Sequence, residues 1–146
     1  MNASLRHARS TVSRHHFLRL ASLFAFTLVL PVTGDEVKKV IPADQARDHI
    51  DETGTVEMTV KSSRDYEPSK VYYLNSEDDF RDEKCVSLMI AYADAPAFKK
   101  AGIDDPAAYY KGKTIRVAGK VIHESKQTRI HVTSPAQIEL VGAPKG

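Results

Sequence analysis

From Thr114 to Val121 apolar and polar positions alternate strictly. Ile115, Val117, Gly119 and Val121 fall on one side and Thr114, Arg116, Ala118 and Lys120 on the other, the two-residue period of a half-buried strand. The stretch opens at Tyr109 and predicts a strand extended to His123. The same rhythm places Val56, Met58 and Val60 inward, with Thr55, Glu57, Thr59 and Lys61 outward. Val71–Asn75 and Cys85–Tyr92 read as two further strands, the latter with Val86, Leu88, Ile90 and Tyr92 on one face. Arg129–Thr133 reads as a fifth, and beyond a kink at Ser134–Pro135 lies an extended piece, Ile138–Val141.

The connections carry their own signals. Pro42 to Ile50 predicts a short helix stopped by Thr53–Gly54, with Ala43, Ala46 and Ile50 at helical spacing. Ser62 to Ser69, polar and without apolar rhythm, predicts a loop, and Ser76 to Lys84 a charged connection. Asp94 with Pro96, and then Asp105 with Pro106, predict two short helical turns by cap and proline grammar. Glu124 to Gln127 predicts a compact turn. Gly112 is expected to stop a helix, and Gly119 to mark a bend or bulge where a barrel closes.

The chain is therefore expected to be all-β with short helices: a five-stranded Greek-key OB-fold barrel, with a helix before strand one and a helical insert between strands three and four. Ile41-Pro-Ala-Asp-Gln-Ala-Arg-Asp-His-Ile50 before Gly54-Thr-Val, then Val71-Tyr-Tyr-Leu-Asn75, Tyr109-Tyr-Lys-Gly-Lys-Thr-Ile-Arg-Val-Ala-Gly119 and Val132-Thr-Ser-Pro-Ala-Gln-Ile138 resemble a family of small bacterial stand-alone OB-fold domains. These are often exported, sometimes joined to nuclease or other domains, and nucleic-acid-binding-like. The resemblance covers roughly residues 41–141, and its most distinctive motifs imply scaffold more than ligand. After Asn75 such domains tend to continue into an aromatic and a glycine, whereas here Ser76 leads into an acidic run.

Charge changes the picture through its distribution. The formal +2 over 146 residues hides a basic leader: Arg6, Arg9, Arg14 and Arg19 precede the apolar run Leu20–Leu30, and no acid occurs before Asp35. That pattern, with Pro31 and Val32-Thr-Gly34 after it, predicts a signal peptide over residues 1–34. The run is shorter than the roughly 20 residues of a spanning helix, so no stable membrane insertion is expected after cleavage. The remainder carries 21 minus 4 bases against 19 acids, a net of −2, unlike the strongly basic body typical of a nucleic-acid binder. Residues 35–40 are expected to be a disordered terminus, 41–141 the domain and 142–146 a flexible tail. The expected location is periplasmic or secreted.

On an OB-fold the common ligand surface is the outer face of strands two and three with its flanking loops. It maps to Arg64, Tyr66 and Lys70 near the first loop, Tyr72 or Tyr73 on the sheet, and His123, Lys126 and Arg129 near the second. Aromatics between cations suit single-stranded nucleic acid or an oligosaccharide. The blander reading is that Tyr72 and Tyr73 cover the two sides of the barrel wall, and that Lys61, Arg116, Lys120 and Arg129 are solvated strand faces. Glu77, Asp78, Asp79, Asp82 and Glu83 offer oxygens to a cation but lack an EF-hand pattern. His123 and His131 lack a third ligand. The single Cys85 excludes an intramolecular disulfide and reads as a small buried hydrophobe. No nucleophile-elbow, zincin or phosphate-loop motif occurs. The expectation is an exported OB-fold binding or interaction module without catalytic activity or cofactor. Its partner is an unknown protein or envelope component, with single-stranded nucleic acid or oligosaccharide as the alternative.

Overall fold

The computed structural model describes residues 39–142; the expected signal peptide, the terminus up to Lys38 and the last four residues lie outside them. The strands are β1 (Val40–Pro42), β2 (Thr53–Thr59), β3 (Ser62–Tyr66), β4 (Val71–Asn75), β5 (Val86–Ala91), β6 (Thr114–Glu124), β7 (Gln127–His131) and β8 (Ile138–Leu140). Two short α-helices, α1 (Ala95–Lys100) and α2 (Pro106–Tyr110), lie between β5 and β6, and 3₁₀ turns fill Ala43–His49, Glu67–Ser69, Tyr92–Asp94 and Pro135–Gln137. The fold is mostly β. Among the described residues no helix is long and apolar enough to cross a membrane.

One mixed sheet joins the strands in the order β1-β2-β6-β7-β5-β4-β3, with β8 added to β6. β6 is the hub. It runs antiparallel to β2 from Thr59↔Thr114 to Thr53↔Lys120, then to β7 from Val121↔Ile130 to Glu124↔Gln127. β5 and β7 are parallel, whereas β4 pairs antiparallel with both β3 and β5. Only Val60 and Lys61 separate β2 from β3. Val60 N–H donates to Lys113 O on the β6 side, and Lys61 N–H to Asn75 O on the β4 side.

The alternation predicted from sequence fills the interior. Val56, Met58, Val60, Leu74, Val86, Leu88, Ile90, Ile115, Val117, Val121 and Ile130 are all buried, and Phe98 of α1 inserts with no exposed surface. Burying a side chain of this kind is worth about 1.5–3 kcal/mol, so short strands suffice when every second residue faces inward. α2 begins as its sequence predicts: the Asp105 side chain accepts from Ala108 N–H, with Pro106 in the first turn. Gly112 follows it at φ +78° and donates to Val60 O; this left-handed backbone favours glycine. The Glu124–Gln127 turn is a two-residue hairpin with Ser125 and Lys126 both at positive φ, the twist that antiparallel strands require.

Several expectations are corrected. Among the described residues there are eight strands rather than five, in a sheet with β1 and β8 as added edge strands. Ser62–Tyr66, expected as loop, is β3, because its backbone pairs along the whole of β4 despite lacking apolar rhythm. Tyr109 and Tyr110 belong to α2, and the strand starts at Thr114. The first helix is a 3₁₀ segment that ends before Asp51, while Thr53–Gly54 lies inside β2. Val40, expected to fray, pairs with Thr55 in β1. The Asp94 side chain makes no cap bond.

The Ser134-Pro-Ala-Gln137 motif closes the sheet through its own side chains. Ser134 and Gln137 form a reciprocal capping box. Gln137 Nε2 also donates to Ala118 O, one residue past the end of the β8 pairing with β6 at Val117↔Ile138. A side chain thus satisfies a carbonyl that the departing strand leaves open.

Gly119 does not depart from ordinary strand φ; its role is a close approach. A Cβ there would meet Ile130 Cγ2 at 2.7 Å, and Ile130 is fully buried, so it has nowhere to retreat. Gly119→Ala is expected to cost about 1–3 kcal/mol and Gly119→Val more, read as a lower midpoint in chemical denaturation; unchanged midpoints would contradict the contact. A second expectation concerns alkali. Burial pushes the Tyr110 phenol up to about 12 from its ordinary 10.0. A raised acid contributes stability that is complete below the unfolded value and lost as pH rises through the folded one. Tyr110→Phe should therefore fold normally at neutral pH and remove one of the two tyrosine equivalents that titrate near 12, leaving that of Tyr92; an undiminished amplitude there would contradict the burial of Tyr110.

Candidate functional site

The period of two sorts the tyrosines of β4. Leu74 is buried in the core, and Tyr72, two residues earlier, packs against it, which leaves Tyr73 and Asn75 facing out. Register then assembles the outward face: Arg64 of β3 stands opposite Tyr73, Tyr73 opposite Met89 of β5, Asn75 opposite Ser87, and Ser87 opposite Arg129 of β7. A pocket of about 330 Å³ opens on this face, at the small end of ligand-binding cavities.

Its walls alternate cation and ring. The Arg64 guanidinium lies 4.8 Å from the Tyr66 ring centroid, Tyr66 and Tyr73 are 6.3 Å apart at 54°, and Arg129 lies 6.0 Å from the Tyr73 ring. Arg129 is fixed from two sides: Nε and Nη2 donate to Gln127 Oε1 at 3.3 and 2.8 Å, and Nη1 to Glu124 Oε2 at 2.8 Å. Gln127 Nε2 in turn donates to Phe80 O at 3.0 Å. That bond ties the 76–85 connection to the face and places the 44%-exposed Phe80 on the rim. Ser87 Oγ donates to Asn75 Oδ1 at 2.7 Å and Asn75 Nδ2 to Ser62 Oγ at 3.2 Å. This polar floor costs little because its groups find partners.

Of the residues singled out from sequence, Arg64, Tyr66, Tyr73 and Arg129 line this pocket, and Lys70, Tyr72 and Lys126 do not. Tyr72 stacks with Tyr92 at 4.8 Å on the other side of β4, and Tyr92 Oη donates to Asp65 Oδ1. That bond raises the Tyr92 phenol to about 12. Lys70 sits over Tyr92 and near Glu67, and Lys126 occupies the exposed hairpin tip. Sequence reasoning passed over Asn75, Phe80, Ser87 and Gln127. Asn75 was reachable by the same period as Tyr73, and Phe80 was a lone aromatic in a charged run. Ser87 and Gln127 emerge only once strand pairing is known.

The other candidates resolve into structure. Glu77 pairs with Lys61 at 2.5 Å and Glu83 with Arg47 at 2.9 Å, while Asp79 and Asp82 accept from Arg81 and Lys84 amides within the connection. Among the described residues no group of three His, Cys, Asp or Glu is placed to hold a metal ion. His123 stands opposite Thr128, three residues short of His131, which lies 3.6 Å from Glu124. Cys85 is buried and unpaired in any disulfide.

No family model and no curated protein matches the sequence. Solved structures do resemble it. An aspartyl-tRNA synthetase from Entamoeba histolytica gives a TM-score of 0.47 at 13% identity over 73% of this chain and 22% of its own. An asparaginyl-tRNA synthetase from Pyrococcus horikoshii gives 0.43 at 14% identity over 72% and 23%. OBody AM1L10, solved bound to hen egg-white lysozyme, gives 0.47 at 19% identity over 71% and 93%. At these scores the likeness is loose, and the chain spans less than a quarter of each of these synthetases.

The ion pair that holds Arg129 should be visible in titration. The hydrogen bond from Arg129 holds the Glu124 carboxyl below its ordinary 4.5. A depressed acid contributes stability present above the ordinary value and lost as pH falls through the folded one. A carboxyl-detected NMR titration should place Glu124 below 4.5, and Arg129→Gln should move it upward; an unmoved midpoint would mean that Arg129 does not hold it.

Proposed function

We propose that the chain is an exported binding module, built as a closed OB-fold barrel, that takes its ligand on the outward face of β3, β4, β5 and β7 and does no chemistry on it. Closure is supported by the two residues between β2 and β3. They let one bent segment, Thr53–Tyr66, pair with β6 at its start and β4 at its end, so the two flanks of the sheet share a strand. The parallel β5–β7 pair and the helical insert before β6 accord with the same topology.

The observation that carries the binding reading is the run Arg64, Tyr66, Tyr73, Arg129 along one pocket. Rings backed by guanidinium groups favour flat ligand groups by stacking and cation–π attraction. Single-stranded nucleic acid or an oligosaccharide fits that chemistry. A protein or envelope component is the second reading, favoured by the net −2 of the part beyond residue 34, which opposes a long polyanion. Export places either partner outside the cytoplasm, in the periplasm or medium.

In NMR titrations of residues 35–146 with oligothymidylate and with a neutral oligosaccharide, resonances of Tyr66, Tyr73 and Arg129 should move together. Tyr73→Ala should weaken binding by about 1–3 kcal/mol, and Tyr72→Ala should act on stability instead. Silence of this face toward both, with capture of an envelope protein that survives Tyr73→Ala, would move the function elsewhere.

A further inference from the structure

The pocket has three features that an open groove for a strand does not need. Its volume, about 330 Å³, admits a ring-sized group rather than a run of them. Its far side is bounded by the 76–85 connection, held over the face by the Gln127–Phe80 bond. That connection sets five acids, Glu77, Asp78, Asp79, Asp82 and Glu83, against two bases, Lys84 and the Arg81 that lies 4.9 Å from the Phe80 ring, an acidic excess that opposes a polyanion running along it. Its charge is also nearly balanced. Arg129 is neutralised by Glu124 at 2.8 Å, while among the described residues no carboxylate lies within ion-pair distance of Arg64, whose recorded partner is the Tyr66 ring. Of the two cations lining the pocket, Arg64 is thus the one without a carboxylate partner, and it faces Tyr66, Tyr73 and Phe80 over an amide and hydroxyl floor.

We infer that this pocket takes a single ring carrying one acidic group, as a free small molecule, and not a polymer strand. The inference rests on the binding-face reading above and puts a free small molecule of the same ring chemistry in place of its polymer ligand. The ring lies against Tyr73 and Phe80, its acidic group meets Arg64, and Asn75 and Ser87 meet its inner edge. Arg129, already held by Gln127 and Glu124, positions the Tyr73 wall instead of binding the anion.

Three compounds share that chemistry from different sources: uridine 5′-monophosphate, benzoate and glucuronate, each with a neutral counterpart, uridine, benzyl alcohol and glucose. Titration of residues 35–146 followed by NMR should show saturable shifts of Tyr66, Tyr73 and Ser87 with at least one acid, and the tightest identifies the source. Its neutral counterpart should bind at least about tenfold more weakly, as expected of one lost charge-assisted contact. Arg64→Gln, an exposed change, should erase that difference and leave the neutral compound unaffected. Oligothymidylates of increasing length should gain nothing per added nucleotide, with a salt slope of about one ion or less. Affinity that climbs with length on a steep salt slope, while the small acids do nothing, would overturn the single-ring inference and leave the binding face standing. Equal binding of acid and neutral partner would remove the role of Arg64 and overturn it too. Silence toward small acids, polymers and sugars alike would overturn this inference together with the nucleic-acid and oligosaccharide reading, leaving the protein partner alone.

Discussion

The structure depends on one strand changing partners. β6 pairs with β2 through Lys120 and with β7 from Val121 onward, so two parts of the sheet are fastened by a single continuous backbone. At that changeover the Ile130 methyl occupies the space where residue 119 would carry a Cβ. The packing that lets β7 fold against β6 therefore requires a glycine, for reasons of volume rather than of backbone angle. Overpacking at such a point has no soft direction in which to relax, because Val117, Val121 and Ile130 are all fully buried.

Once β7 is fastened to β6, the outward face that carries the pocket follows from register. β7 accepts β5 in parallel, β5 accepts β4, and β4 accepts β3, so residues far apart in sequence become neighbours on one outward surface. A shift of one residue in β4 would exchange Tyr72 for Tyr73 and turn the pocket aromatic into the core. The interior side of β4, with Leu74 and Tyr72, is thus the mechanical support for the exterior side, with Tyr73 and Asn75. The Arg129–Glu124–Gln127–Phe80 chain then links the hairpin end of β6 and β7 to the acidic connection, so that one rim of the pocket is held by side chains of β6 and β7 and by the Phe80 carbonyl.

The strands with apolar alternation were legible because burial writes a period of two into them. Ile115 to Val121 and Val56 to Val60 needed nothing else. β3 was not legible: Ser62–Tyr66 lies on a wall with no large apolar residue facing the core, and only its pairing with β4 makes it a strand. The site was half legible for the same reason. Tyr73 and Arg129 stand out by residue type, but deciding between Tyr72 and Tyr73 needs the core partner of Leu74, and Ser87 joins the floor only through register. Tyr109 and Tyr110 misled because they adjoin the best strand in the chain, while Asp105 and Pro106 commit them to α2.

The described fold predicts that two adjacent tyrosines report on two different worlds, and the chain contains no tryptophan, so each can be replaced by the sole indole. Tyr73→Trp should show emission that changes saturably as ligand is added, uridine 5′-monophosphate serving as the first probe and the other ring acids and their polymers following. Tyr72→Trp, packed against Tyr92 and the core, should remain unmoved through the same titrations. A response from Tyr72→Trp with none from Tyr73→Trp would contradict the placement of the binding face on the outer side of β4.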